Sequence, residues 1–350
     1  MPFRTNAGQR ALLLSQLGAL NAREVREFAV QHDLPRAGKK KDELLETIAA
    51  ALHDRGGPSW KELVLYLDQV EPYGRQHVYA YKPDGAFQDW GDRQFLEDKL
   101  QAAGQIALLD TPTALAAPAA VTLGSITLDE DGVLGIQAIS KRTYLRRRAE
   151  LDEEVDGDAL PGQNTVARVY EEVSARSWVR LRCETESGAC SVHVAQLERK
   201  GDYEAVFEEF KDLIAGWFPV DLLQPIYLSR GIARLQEEYE ADPDNAVVRV
   251  QASEYTSRGG RHGSISSARA RQGVVGESAA LNNAVTAMRE SGPAATGNFY
   301  FRRQADHAQS PLGKDLHVTC VVKDNRINVR RPTEPAELSW VLGRIRHYSG

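Results

Sequence analysis

Apolar residues recur along this chain with two periods, one helical and one of two residues, and the switches between them outline its elements. Val25, Phe28 and Ala29 fall on one helical face, as do Leu44, Leu45, Ile48 and Leu52 further on. Asp33 to Gly38 interrupts them, because Pro35 lacks a backbone donor and Gly38 allows unusual backbone angles. Asn21 is placed to cap the first of these helices, and Asp42 and Glu43 suit the positive end of the second. Ser59 with Glu62 reads as a capping box for a helix reaching about Val70. His77 to Tyr81 predicts a strand, Asp92 to Ala103 a helix, Ile106 to Leu109 a second strand, and Thr111 to Ala120 a loose connector.

From Val121 the period of two dominates. Two alternating runs around Asp131-Gly132 predict a hairpin. Tyr170 to Val173 and Trp178 to Cys183 are strand-like, and Ser187-Gly188 turns the chain into Ser191 to Leu197. Tyr203, Val206, Phe207, Phe210, Leu213, Ile214 and Trp217 then form a helical stripe, and Ala233 to Ala241 a further helix. Val247 to Val250 returns to strand. His317 to Val322 and Arg326 to Val329 flank Asp324-Asn325 as another hairpin, and Pro335 opens a last helix with Leu338, Val341, Leu342 and Ile345 on its inner face. Antiparallel hairpins mixed with helices, without a βαβ repeat, predict an α+β protein. The expected units are a helical module over 1–56, a small α/β unit over 57–120 and an antiparallel α+β region over 121–350.

Leu17 to Leu52, LGALNAREVREFAVQHDLPRAGKKKDELLETIAAAL, resembles a SAP domain, a helix–extended–helix module that binds DNA. Leu34 resembles the buried leucine after the first helix, Gly38 the turn glycine, and Leu44 and Leu45 the second-helix core pair. The resemblance implies that Lys39, Lys40 and Lys41, with Arg36 beside them, lie against duplex phosphates. Pro35 and Arg36 depart from the usual residues at their positions, and three consecutive lysines are more basic than is typical. The N-terminal domain of transcription termination factor Rho has almost the same pattern. Without DNA, the segment reads as a helical cap with a solvated lysine turn.

Composition adds a direction. Hydrophobic residues make up 42% of the 350, enough for real cores. No apolar run is long enough to cross a membrane and no signal segment is apparent, so the expectation is a cytoplasmic protein without a membrane partner. The net charge of −6 is unevenly spread. Residues 1–57 carry nine Lys/Arg against seven Asp/Glu, residues 58–254 carry 20 against 35, and residues 255–350 carry 14 against seven. Basic ends around an acidic middle suit contact with a polyanion. Three cysteines fit a reducing compartment, and Cys183, Cys190 and Cys320 read as structural thiols.

Two further basic segments are candidate contacts. Lys141, Arg142, Arg146, Arg147 and Arg148 surround Tyr144 in KRTYLRRR, a mixture suited to phosphate contact with stacking; pairing with the acidic Glu150 to Asp158 is the plainer reading. Ser257 to Gly276 holds Arg258, Arg261, Arg269 and Arg271 among glycines and serines with no acidic residue. It reads as a loop that wraps a phosphate backbone or closes over a substrate, or as a plain long loop. The run Glu150 to Asp158 lacks EF-hand spacing and reads as a mobile linker. Catalytic signals are weak: only Glu198-Arg199-Lys200, with Asp129 or Glu184 as partner, approaches a metal-nuclease tripeptide, and the histidines at 77, 193, 262, 307 and 317 make no i, i+4 pair.

The expected protein is therefore a DNA-associated binding or scaffold protein needing no cofactor, part of a larger bacterial nucleic-acid-processing or defence assembly. A tethered metal-dependent nuclease, and a protein–protein adaptor that self-associates or uses the acidic middle, are the alternatives.

Overall fold

The structure, a computed structural model, describes residues 5–54, 56–70, 74–113, 118–148, 153–155, 165–196, 203–256, 262–266, 283, 286–288, 290, 292–303 and 310–350. Four helices open the chain: α1 (Ala7–Ala19), α2 (Ala22–Gln31), α3 (Lys41–His53) and α4 (Trp60–Val70). Asn21 caps α2 as expected, its Oδ1 accepting from the Arg23 and Glu24 amides while Glu24 reaches back to the Asn21 amide. The helical turn ends at Asp33, whose positive φ of 51° precedes Pro35, and Gly38 supplies the second left-handed residue at 71°. Leu13, Leu17, Phe28, Leu44, Ile48, Leu63 and Leu67 close one core shared by all four helices.

A ten-stranded antiparallel sheet forms the rest. Its strands are β1 (Gln76–Ala80), β2 (Thr122–Leu128), β3 (Val133–Arg147), β6 (Tyr170–Glu184), β7 (Ala189–Ala195), β8 (Val248–Thr256), β9 (His262–Ser266), β10 (Ala294–Phe301), β11 (Leu316–Val321) and β12 (Arg326–Val329). They run in the order β2-β3-β6-β7-β1-β12-β11-β10-β8-β9, and the short β4 (Glu153–Val155) and β5 (Thr165–Ala167) pair separately. β1 is the seam between an earlier and a later half. Its alternation splits the interior in two. Val78 and Ala80 join one core with α7 (Leu228–Ala241) and α8 (Pro335–Ser349), while Tyr79 and Tyr81 join the opposite core with α5 (Arg93–Ala102) and α6 (Tyr203–Ile214). Each half of the sheet thus carries its helices on a different face.

Mixed α+β architecture is as expected, but several details differ. Residues 57–120 form no separate unit: α4 completes the helical core and β1 lies mid-sheet. Ile106–Leu108 is a 3-10 turn rather than a strand, and Leu109 alone bridges β2, at Ile126. Tyr170 to Cys183 is one strand, since it pairs without a break along all of β3. Part of the supposed acidic linker, Glu153–Val155, is a strand, as is His262–Ser266 within the supposed long loop. Cys183 and Cys190 face each other across β6 and β7 and are disulfide-bonded, not free thiols; Cys320 is free and buried, and burial pushes its thiol up to about 12. Among the described residues, no helix is long and apolar enough to cross a membrane.

Candidate nucleic-acid interface

The basic turn of the helical module does not present three equivalent lysines. Lys39 donates to Thr47 Oγ1 at 2.5 Å and Lys41 to the Gly18 carbonyl at 2.6 Å, so both half-buried side chains tie the helices together. Arg26 also donates to the Lys39 carbonyl at 3.1 Å. Lys40, at the start of α3, and Arg36 are exposed. Of the four basic residues expected at phosphates, Arg36 and Lys40 are thus exposed and Lys39 and Lys41 half-buried.

KRTYLRRR runs through the end of β3, which reaches Arg147. Lys141 is exposed, and Arg142 shares a cavity rim with Glu209 and Asp212 of α6. Arg146 lies opposite Glu171 in the ladder and Arg147 opposite Tyr170. Arg148 bonds Glu171 at 2.7 Å. Arg148, the last residue of the run, is thus compensated from β6. Arg258, Arg261, Arg269 and Arg271, together with Glu198 to Lys200, lie outside the described residues.

A stronger constellation lies on the later half of the sheet, on the face away from α7 and α8. Register places Arg249 opposite Tyr300 and Tyr300 opposite His317. Arg330 continues the row, its amide donating to the His317 carbonyl at 3.2 Å. The Tyr300 and His317 rings stack with centroids 4.6 Å apart, 13° from parallel, and both are half-buried. Arg330 is exposed, steadied by Thr319 Oγ1 at 3.4 Å, which in turn donates to Asn298 at 2.6 Å. Arg249 is held by Asp315 at 2.8 Å, and Glu254 is the exposed acidic residue toward the edge. Burial and the neighbouring Arg330 charge hold His317 below the usual imidazole range, so at neutral pH it stacks as an uncharged ring.

Where this face meets α6, a cavity of about 330 Å³ opens between the helix and the β11–β12 turn. Its floor is Tyr79, Tyr81 and Phe207, with Tyr79 and Phe207 stacked at 4.6 Å and 7°. Burial pushes the Tyr79 phenol up to about 12. Asn325, at a φ of 46°, donates to the Ala80 carbonyl and pins the turn beside β1. Arg326 belongs to both surfaces: it lines the cavity and follows in register from Tyr79.

One buried trio has the order of a nucleophile, base and orienting group. Ser191 Oγ is 2.8 Å from His193 Nε2, and His193 Nδ1 is 2.7 Å from Gln76 Oε1. All three are sealed, at 1%, 3% and 0% exposure, so no substrate reaches Ser191 and the trio serves to satisfy polar groups inside the sheet. Among the described residues, no group of three His, Cys, Asp or Glu is arranged to hold a metal ion.

The sheet-face row was missed in the sequence, although alternation carries its signal: Arg326, Asn328 and Arg330 share one strand face, as do His317 and Thr319. Each is unremarkable alone, and only strand pairing gathers them. The chain matches no known family model and no curated protein.

Proposed function

We propose that the chain is a DNA-binding protein whose later sheet half takes unpaired bases on the face opposite α7 and α8, with the α2–α3 turn as a second contact for duplex phosphate. The observation that carries this reading is the cross-strand row Arg330, His317, Tyr300 and Arg249: a stacked aromatic pair bracketed by guanidinium groups on the sheet face opposite α7 and α8. Aromatic faces stack on any base, and arginines beside them neutralise the backbone. Arg36 and Lys40 supply the exposed charge expected of the SAP-like turn.

The test is a titration of single- and double-stranded oligonucleotides at several salt concentrations. Tyr300→Ala is expected to weaken single-strand binding by about 1–3 kcal/mol. Arg330→Ala is expected to flatten the log–log salt dependence by about 0.7. Arg36→Ala with Lys40→Ala is expected to act on duplex binding. Wild-type affinity and slope in both sheet variants would reject the reading. Incubation with Mg²⁺, and with EDTA, is expected to leave the oligonucleotides intact; cleavage lost in Glu198→Ala would install the nuclease in its place.

A further inference from the structure

The cavity between α6 and the β11–β12 turn has a specific charge pattern once its internal ion pairs are set aside. Lys211 bonds Glu208 at 2.7 Å and lies over the Phe207 ring at 4.6 Å. Arg326 bonds Asp324 at 3.0 Å, which leaves its Nε buried and without a partner. Two rim charges have no ion-pair partner among the described residues: Glu204 on the α6 wall and Lys323 on the turn wall, both exposed. Between them lies the aromatic floor.

A complementary ligand is flat and aromatic, donates hydrogen bonds at one end and is anionic at the other. We infer that the cavity is a single-nucleotide site. The base stacks on the floor, an exocyclic amino group donates to Glu204, and the phosphate meets Lys323 and the Arg326 guanidinium. Carboxylates accept from base amino groups, and enclosed bases are recognised by stacking with contacts to their polar edge. Adenine, cytosine and guanine carry such an amino group and thymine does not, so the site discriminates against thymine. A free aromatic amino acid shares the outline, with its ammonium on Glu204 and its carboxylate on Lys323. The nucleotide is favoured because the cavity opens beside the basic sheet face through Arg326, where a phosphate-linked chain would pass. This inference rests on the proposed DNA-binding reading for that continuity, and the nucleotide has two possible sources: a free monophosphate, or one residue of a bound strand.

The experiment is calorimetric titration of the full chain with AMP, CMP and TMP, with L-tryptophan, and with a short single-stranded oligonucleotide. It compares wild type, Lys323→Glu, Glu204→Lys and Arg330→Ala, each checked by circular dichroism. Both cavity substitutions are at exposed positions, so the fold is expected to survive. AMP and CMP binding above TMP, reduced about tenfold or more by each cavity variant, identifies a free-nucleotide site. Oligonucleotide binding reduced by the same variants, with no monophosphate binding, identifies a site for one residue of a strand. Nucleotide and oligonucleotide binding both indifferent to Lys323 and Glu204 overturns the inference, and if Arg330→Ala still weakens the oligonucleotide, the sheet-face reading survives it. Monophosphate binding that depends on the cavity while the oligonucleotide ignores Arg330 rejects the sheet reading alone. Lys323-dependent binding of L-tryptophan without any nucleotide binding also overturns the nucleotide assignment.

Discussion

Two glycines with nearly the same backbone angle differ in what surrounds them. Gly188 has a φ of 68°, and a Cβ there would lie 2.1 Å from the Asp84 carbonyl oxygen. Gly38 has a φ of 71° and open space around it. Gly38→Ala is expected to cost only the left-handed penalty of about 1–2 kcal/mol. Gly188→Ala must also displace backbone, so its thermal midpoint should fall well below that of Gly38→Ala; equal midpoints would contradict the close approach. Buried histidines add a pH dependence. Burial lowers His77 from its ordinary value to about 4, against the hydrogen bond to Asn328 that pulls the other way. His193 is likewise lowered. A lowered folded value means the unfolded chain binds more protons in acid, so stability is full above about pH 6.5 and declines toward about pH 4. Melting curves between pH 7.5 and 4.5, about one unit above and two units below the ordinary His value, should show this fall, and His77→Gln should make it shallower.

Among the elements, the α2–α3 turn separates structural charge from free charge. Lys39 and Lys41 are spent on Thr47 and Gly18, whereas Lys40 and Arg36 face solvent. Lys39→Ala with Lys41→Ala is expected to lower the stability of the helical module by about 1–3 kcal/mol, because bonded partners lose their donors. Lys40→Ala with Arg36→Ala should leave stability within about 0.5 kcal/mol and act on duplex affinity instead. Chemical denaturation beside duplex titration reads the split; the reverse allocation would contradict the hydrogen bonds. Arg148, just past the end of β3, is likewise a structural charge, held by Glu171 of β6.

At the scale of the molecule, two unlike contacts among the described residues join the helical module to the last helix and to the loop before β2. Arg23 meets Glu334 at 2.5 Å, with both side chains more than half exposed. Asp68 accepts from the Thr113 amide and hydroxyl at 3.0 and 2.8 Å, and Gln137 donates to the same hydroxyl at 3.0 Å inside the interface. An exposed pair contributes about 0–1 kcal/mol, while leaving buried donors unsatisfied costs about 1–3. Asp68→Ala should therefore lower the unfolding midpoint more than Arg23→Ala and speed hydrogen exchange at Thr113. Equal effects would mean that the module is held elsewhere.

Local order was largely legible in the residues themselves. The capping of α2 by Asn21, the breaks at Pro35 and Gly38, the Asp131-Gly132 and Asp324-Asn325 hairpins and the apolar stripes of α6 and α8 all follow from short-range rules that act within a few residues. The α+β class follows from their mixture. What lay beyond reach depends on partners distant in sequence. Pairing of β1 with both β7 and β12 joins two halves separated by more than a hundred residues, and that pairing decides which face each helix covers. It also decides which charges cancel, as with Arg148 and Glu171 or Arg249 and Asp315, and which side chains converge, as with Tyr300, His317 and Arg330. Composition counts charges, but their compensation depends on distance through space, and only the tertiary structure sets that distance.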